Sequence, residues 1–304
     1  MGDKTKAYIA YFVICIAWGT TYLAIRVGVS HYPAFLFAGI RQVVSGLLML
    51  GIGLAWYKRA DLTKSTLFHN MLIGFLLITI GNGTVSYAEK VIPSGVAALI
   101  CTMMPMNAVI INLIASKEEK LSLTIVLGML LAFGGVVLIF KDNIADLANP
   151  AYLFGMVSIY FATAFWALGS ILNRKKVDII NPIFNSGVQI GFGGLFLVLL
   201  SPLVDSYTDF QPFQKDALLS MGYLVVVGSI IAYTAYMYAL KKLPVGFVTS
   251  YAYINPLVAV LLGYLILDEK LTWYTWLAFV SIVSGVYLVN RGYKAQRLKN
   301  NATN

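Results

Sequence analysis

The chain has 304 residues, of which 59% are hydrophobic and only 12% are charged, and its mean hydropathy is +0.79. A soluble globular domain carries about a quarter charged residues, so this composition excludes one and indicates an integral membrane protein. The net charge of +9 comes from basic residues scattered along the chain. No basic stripe for a nucleic acid is present, and no nucleic-acid partner is expected.

Apolar blocks of about 20 residues recur along the chain, the length that an α-helix needs to cross roughly 30 Å of hydrocarbon. Charge and turn clusters separate them, and the loops are short. The sequence predicts an all-α integral membrane protein with ten transmembrane helices. The predicted spans are 8–27, 34–57, 68–88, 94–116, 122–140, 152–173, 181–200, 217–239, 245–267 and 272–290.

The lysines and arginines divide unequally between the two sides of the membrane. Ten is an even number, so both termini share one side, which holds about sixteen of the 22 basic residues against about five on the other. Cytoplasmic loops carry the excess of positive charge, so both termini are predicted to be cytoplasmic. Arg41 belongs to neither side because it lies inside the second span.

The two halves of the chain share motifs in the same order. Residues 87–95 (YAEKVIPSG) match residues 238–246 (YALKKLPVG), and the other pairs are Pro105 with Pro256, Glu119-Lys120-Leu121 with Glu269-Lys270-Leu271, Trp18 with Trp166, and Arg41 with Gln189. These matches predict a duplicated five-helix unit, residues 1–146 and 147–304. Because five is odd, the second copy starts from the opposite side, which gives two inverted repeats.

Inverted repeats are typical of secondary transporters, in which the two halves exchange conformations around a central site. Duplication for packing alone is the alternative. Small residues suited to close helix contact occur at Gly187 and Gly191, at Ser281 and Gly285, and at Gly128, Gly134 and Gly135. They favour packing within one bundle, with dimerisation as the weaker option, so a monomer or weak homodimer is expected.

Three motifs carry a family resemblance. They are Trp-Gly-Thr-Thr at residues 18–21, an arginine early in the second span, and Tyr-Ala-x-Lys-x-x-Pro-x-Gly before a mid-helix proline and a Glu-Lys-Leu turn. With them the chain resembles an EamA-type permease of the drug/metabolite transporter superfamily. The resemblance implies a ten-helix bacterial inner-membrane permease that exports small metabolites or amino acids. It also implies a central cavity formed chiefly by helices one, three, four, six, eight and nine.

Arg41 is the charged candidate for the substrate site. At the helical rise it lies roughly 10 Å below the outer boundary, where an unpaired charge is costly. Three roles remain open: snorkelling to the outer headgroups, clamping carbonyl groups freed at broken helices, or binding an anionic group of the substrate. We expect Arg41 to face protein rather than lipid. The second copy has Gln189 at this position, so any such role belongs to one half only.

Pro105 and Pro256 lie near the middle of the fourth and ninth spans. Each removes a backbone donor, so both helices are predicted to bend beside a polar interior, as gates or as simple packing kinks. The predicted substrate-binding set combines polar tips with positions near mid-span; for any single aromatic ring, core or lipid packing is the alternative. With Arg41, its members are Trp18, Thr21, Asn82, Tyr87, Trp166, Tyr233, Tyr253 and Asn255.

Catalytic and energy-coupling motifs are missing from the sequence. No P-loop motif occurs, and the spans hold no Ser-His pair, aspartate pair or metal-ligand cluster, so no enzyme, metal site or cofactor is expected. Glu89 near an outer helix end is the only acidic residue suited to coupling. The favoured interpretation of Glu89 is nevertheless a solvated charge beside Lys90.

The predicted function follows from the repeat and the resemblance together. It is a secondary transporter that moves small metabolites, such as amino acids or related amphipathic compounds, outward across the bacterial inner membrane by alternating access. Its expected partners are the small-molecule substrate and the lipid bilayer. The alternatives are a multidrug exporter of the same fold and, less favoured, a membrane sensor or scaffold.

Overall fold

The computed structural model describes residues 2–56, 63–92, 94–115, 122–139, 150–175, 182–208, 210–267 and 273–302. All regular secondary structure within these ranges is helical, which confirms the predicted all-α class. Pro93, both Glu-Lys-Leu motifs and the predicted boundary after residue 146 lie outside the described residues.

The helices of the first half follow one another in the predicted order, and several predicted spans are built from more than one segment. They are α1 (Asp3–Gly19), α2 (Thr21–Val29), α3 (Ala34–Trp56), α4 (Lys64–Gly74), the π-helical segment π1 (Phe75–Asn82), α5 (Gly83–Ala88), α6 (Ser94–Cys101), α7 (Met104–Ala115) and α8 (Leu123–Ile139).

The second half also has a π-helical segment in its third span and an interruption in its fourth, whereas its first span is one continuous helix. Its helices are α9 (Pro150–Lys175), α10 (Pro182–Val204), α11 (Lys215–Tyr223), π2 (Leu224–Ile231), α12 (Ala232–Lys242), α13 (Val245–Val248), α14 (Tyr251–Leu267) and α15 (Trp273–Ala302).

Seven helical segments among the described residues are long and apolar enough to cross a membrane. A shorter apolar helix covers Leu123–Leu138, which lies within the predicted fifth span. The predicted ninth and tenth spans are helical as α13, α14 and α15 but are not among the seven, so the number ten stays a prediction. The seven are Asp3–Val29, Ala34–Ala55, Lys64–Ala88, Ala97–Ile114, Leu153–Arg174, Pro182–Val204 and Lys215–Lys242.

Glycines bring α3 and α10 into close contact. A Cβ atom on Gly39 would lie 3.0 Å from the carbonyl oxygen of Gly194, and one on Gly46 would lie 2.9 Å from that of Gly187. The two helices are therefore antiparallel. In the frame that relates Arg41 to Gln189, Gly39 corresponds to Gly187 and Gly46 to Gly194. Gly39 thus faces Gly194, the counterpart of Gly46, and Gly46 faces Gly187, the counterpart of Gly39. This is the contact pattern of a two-fold axis.

The pair α8 and α15 packs in the same antiparallel way. A Cβ atom on Gly128 would lie 2.7 Å from the carbonyl oxygen of Gly285, and one on Gly135 would lie 2.9 Å from that of Ala278. Apart from Gly134, where a Cβ atom would have no neighbour within 4 Å, the small residues singled out in these helices and in α10 serve helix contacts inside the bundle.

The helix ends identify two ends of the bundle. At the first, which we call the terminal end, Lys242 forms a 2.7 Å salt bridge with Asp3. At the other, which we call the far end, the residue 30–33 loop meets residues 205–214, and the main-chain nitrogen of Gln211 donates to the carbonyl of His31 at 2.8 Å. Arg26 also reaches the far end, where it donates to the carbonyl oxygen of Glu89.

The two π-helical segments lie in corresponding spans and contact opposite halves. Thr79 in π1 donates to the carbonyl oxygen of Gly193 in α10 at 2.9 Å. Ser229 in π2 donates to Oε1 of Gln42 in α3 at 2.9 Å. Interruptions of this kind often occur at functional sites. Here they join the two halves of the chain beside the centre of the bundle.

Candidate functional site

The Trp-Gly-Thr-Thr motif marks an interruption of the first span. Helix α1 ends at Gly19 and α2 begins at Thr21. The hydroxyl group of Thr20 donates to the carbonyl of Ala17 at 2.7 Å, and that of Thr21 donates to the carbonyl of Trp18 at 2.8 Å. Side chains of the motif therefore satisfy carbonyl groups at the break, which holds Trp18 and Thr21 at the centre of the bundle.

The fourth and ninth spans are also interrupted. Helix α6 ends at Cys101 and α7 begins at Met104, which puts Pro105 in the first turn of α7, where its missing N–H is tolerated. In the ninth span the interruption falls at residues 249–250, whereas Pro256 lies inside the continuous helix α14. The break in the ninth span thus precedes the proline that was predicted to cause it.

A cavity of about 70 Å³ lies between these interrupted helices. It is smaller than the ~300–1,000 Å³ typical of small-molecule sites, so a bound solute requires the lining to move apart. Both halves line it. The first half contributes Trp18, Thr21, Tyr22, Arg41, Asn82 and Cys101, and the second contributes Trp166, Gly228, Tyr251 and Asn255.

The two repeat-related tryptophans meet at this cavity. The rings of Trp18 and Trp166 are arranged edge to face, with centroids 5.5 Å apart. Trp18 Nε1 donates to the carbonyl oxygen of Gly228 in π2 at 2.9 Å. Trp166 packs against Gly81 in π1, where a Cβ atom would lie 2.6 Å from the indole ring. Each tryptophan therefore rests on the π-helical segment of the other half.

Two tyrosines that were not predicted from the sequence complete the aromatic cluster. Tyr236 accepts a 3.0 Å hydrogen bond from Trp166 Nε1 and bonds the Ser170 hydroxyl at 2.7 Å. The Tyr251 ring lies 4.7 Å from that of Trp18. Both are mid-span aromatic residues with polar tips, the same signal that selected Tyr233 and Tyr253, but sequence alone did not separate inward-facing from core positions.

Arg41 is 3% exposed, so it faces protein as expected and does not snorkel. Its Nη2 donates to Oδ1 of Asn82 at 3.2 Å, and Gln42 Nε2 donates to the same oxygen at 3.3 Å. Nε and Nη1 of Arg41 are buried and have no hydrogen-bond partner among the described residues. The guanidinium group therefore keeps donors available beside the cavity.

Gln189, the repeat counterpart of Arg41, lies in a neutral network. Tyr233 donates to its Oε1 at 2.9 Å, while its Nε2 donates to Asn70 Oδ1 at 2.8 Å and to Asn173 Oδ1 at 2.9 Å. Tyr233 is the repeat counterpart of Asn82. The hydrogen-bonded pair Gln189 and Tyr233 therefore corresponds to the hydrogen-bonded pair Arg41 and Asn82. In one half the pair carries a positive charge, and in the other it is neutral and fully engaged.

Comparison with known proteins accounts for this duplicated arrangement. Residues 5–141 and residues 153–291 each match the model of the EamA-like transporter family. The chain belongs to the EamA-like transporter family. The resemblance to EamA-type permeases is thereby confirmed, and with it a transporter family rather than an enzyme family.

The relatives of this EamA-like transporter are similar over nearly their whole length. The "Uncharacterized inner membrane transporter YedA" of Escherichia coli (strain K12) is 33% identical over 93% of this chain and 90% of its own. The "Uncharacterized transporter YvbV" of Bacillus subtilis (strain 168) is 24% identical over 97% of this chain and 94% of its own. A solved crystal structure, 18% identical, has the same fold, with a TM-score of 0.77 over 95% of this chain and 98% of that one.

The predicted site residues of this EamA-like transporter fall into two groups. The cavity brings together Trp18, Thr21, Arg41, Asn82, Trp166 and Asn255. When the side-chain amide of Asn255 is oriented so that both its oxygen and its nitrogen have suitable partners, its nitrogen donates to the carbonyls of Tyr251 (3.2 Å) and Cys15 (3.1 Å). Three tyrosines lie elsewhere: Tyr233 in the Gln189 network, Tyr87 against Phe35 with ring centroids 5.8 Å apart, and Tyr253 fully buried.

Glu89 differs from the solvated charge that was its favoured interpretation. Its side chain is 0% exposed, whereas the neighbouring Lys90 is exposed. Helix α2 covers the turn that follows α5, and Arg26 holds that turn by donating to the main-chain carbonyls of Glu89 and Ile92. The solvated interpretation was wrong because sequence position near a helix end does not show which helix covers it.

Proposed function

We propose that this EamA-like transporter is a secondary carrier of small solutes that works by alternating access. The observation that carries the proposal is the central cavity, which both halves line with the repeat-related pair Trp18 and Trp166. A carrier needs one site that each of two conformations exposes to a different side. A cavity on a pseudo-two-fold axis is suited to this, because exchanging the conformations of the halves exchanges the exposed side.

The proposal includes ten transmembrane helices, arranged as two inverted repeats over residues 1–146 and 147–304. The antiparallel packing of α3 with α10 and of α8 with α15 supports it, since counterparts related by an axis in the membrane plane run in opposite directions. We place the protein in the bacterial inner membrane with both termini in the cytoplasm. The name of the YedA relative and the excess of positive charge on the terminal side support this placement.

The proposed substrates are amino acids or related amphipathic compounds with a carboxylate group, moved outward. Arg41 supports this class because a guanidinium with free donors binds carboxylates in a planar, paired geometry. The indole and phenol rings of Trp18, Trp166 and Tyr251 offer an apolar surface for the rest of the solute. A cationic drug would meet the positive charge of Arg41 in the same cavity, which makes the multidrug alternative the less favoured one.

The small size of the cavity is also consistent with a carrier, in which the helices around the site open and close during each cycle. The first, fourth and ninth spans are interrupted beside the cavity, and π1 and π2 interrupt the third and eighth. Interrupted helices bend at lower cost than continuous ones, because the local backbone hydrogen bonds are already rearranged. We propose that these segments move apart on one side at a time.

Counterflow in proteoliposomes tests the proposal. Vesicles are loaded with a pool of unlabelled L-amino acids, and uptake of each labelled member is followed for the wild type, Arg41→Ala and the exposed control Arg291→Ala. Saturable uptake that needs the internal pool is expected for the wild type and the control, and loss of carboxylate substrates for Arg41→Ala. Uptake that matches protein-free vesicles for every member would contradict the proposed substrate class.

A further inference from the structure

The buried carboxyl group of Glu89 is the feature that the transport cycle proposed above leaves unused. Glu89 lies in the turn after α5, just beyond the apolar span Lys64–Ala88. Its side chain is 0% exposed, and neither Oε1 nor Oε2 has a hydrogen-bond partner in the part of the chain that the structure describes. An ionised carboxylate in such a place is strongly disfavoured unless a cation compensates it.

The groups that face Glu89 come from every helix packed around the turn. Helix α2 contributes Arg26 and Tyr22, α3 contributes Arg41, and α6 contributes Cys101, all of which interact electrostatically with the carboxyl group. Helix α9 adds apolar surface, with Gly155 against Ala88. Burial raises the pKa of Glu89 well above its ordinary value, and the charges of Arg26 and Arg41 oppose this rise.

Glu89 lies between the central cavity and the far end. Val85, one helical turn earlier on the same face of α5, lines the cavity together with Tyr22, Cys101 and Arg41. Arg26 and Lys90 line a separate pocket of about 180 Å³ at the far end. The Glu89 turn therefore separates the central cavity from a pocket at one membrane face.

Arg41 and Glu89 form an incomplete pair of opposite charges. Among the described residues, Nε and Nη1 of Arg41 have no hydrogen-bond partner, and neither do the two carboxyl oxygens of Glu89, although each group acts on the other electrostatically. The charge of Arg41 is thus available to two anions: the ionised Glu89 side chain and a carboxylate in the cavity.

We propose that Glu89 is a proton-binding site that controls the availability of Arg41, an inference that rests on the proposed carrier function. When Glu89 takes one proton from water at the far end, its charge is removed and Arg41 is free for a substrate carboxylate. When Glu89 returns that proton, the carboxylate formed competes for Arg41. A proton and an anionic solute therefore favour each other's binding, as linked equilibria require.

The first test needs no substrate. Infrared spectra of the reconstituted wild type, Glu89→Gln and the exposed far-end control Asp216→Asn are recorded from about pH 6 to about pH 9. A protonated-carboxyl band at neutral pH is expected in the wild type and in Asp216→Asn, and its loss in Glu89→Gln. Absence of that band from the wild type, or its persistence in Glu89→Gln, would overturn the inference.

The second test measures coupling over the same pH range, as counterflow of the L-amino-acid pool. Wild type and Asp216→Asn should lose activity several-fold as Glu89 ionises with rising pH, whereas Glu89→Gln should keep its low-pH rate throughout. Glu89→Asp, which restores a titratable group, should restore the pH dependence and guards against a folding defect in Glu89→Gln. A wild-type rate that does not change with pH, or an unchanged dependence in Glu89→Gln, would overturn the inference. Counterflow missing from all four proteins would instead overturn the proposed carrier, while the infrared band still decides whether Glu89 holds a proton.

Discussion

At the scale of single residues, main-chain carbonyl groups accept hydrogen bonds from three polar side chains that line the cavity. Thr21, Trp18 and Asn255 each donate to such a carbonyl. Arg41 differs, since two of its nitrogens stay without partners in the described structure. The side chains that donate to the backbone hold the shape of the interrupted helices, and this difference is why we propose Arg41 as the group that binds an anion.

The hydrogen bond from Trp18 Nε1 to Gly228 gives a test at this scale. Trp18→Phe keeps an aromatic ring but leaves a buried carbonyl of π2 without its donor, which costs about 1–3 kcal/mol. The expected result is a lower unfolding midpoint in detergent. Trp276→Phe is the matched control, because Trp276 is 61% exposed on the outer surface of α15 and should leave the midpoint unchanged. Equal midpoints for both variants would contradict this role of Trp18.

The sequence identified some of these residues and missed others for physical reasons. Trp18 and Asn82 were predicted because a polar tip in mid-span must find a partner inside the bundle. Tyr236 carries the same signal, but which of many mid-span tyrosines faces the cavity depends on helix rotation, which a mostly apolar span does not specify. The burial of Glu89 depends on Arg26 and α2, which are distant in sequence.

At the scale of elements, glycines determine how closely the helices of the two halves approach. Without a driving force from water in the bilayer, such contacts depend on van der Waals packing between small residues. The sequence predicted that these glycines pack helices together inside the bundle. The π-helical segments were not predicted, since Phe75–Asn82 and Leu224–Ile231 are mostly apolar and contain no proline. Their geometry depends on contacts with α10 and α3.

Two glycines of α3 provide a matched pair of substitutions. A Cβ atom on Gly46 would overlap the main chain of Gly191, whereas one on Gly51 would have no neighbour within 4 Å. Gly46→Ala should therefore destabilise the protein by about 1–3 kcal/mol through overpacking. Gly51→Ala should be neutral or slightly stabilising, because alanine favours the helix. Unfolding midpoints in detergent measure both, and a loss in Gly51→Ala as large as in Gly46→Ala would count against this packing.

At the scale of the whole molecule, we propose that the terminal end lies in the cytoplasm and the far end outside. In the Cys15→Ala, Cys101→Ala background, single cysteines replacing the exposed far-end residues Ser30 and Ser206 should react with an impermeant thiol reagent added to intact cells. A cysteine replacing the exposed terminal-end residue Lys242 should react only after lysis. The reverse pattern would show that the orientation from basic residues is wrong.

The most direct test of alternating access uses the cavity thiol. Cys101 lines the cavity and Cys15 does not, so Cys15→Ala leaves one reporter in a chain that has two cysteines. An impermeant thiol reagent is added to either side of oriented vesicles, with and without the L-amino-acid pool. We expect Cys101 to react from both sides, and to react more slowly when the pool is present. Reaction from one side only, or from neither, would contradict a central site that opens to each side in turn.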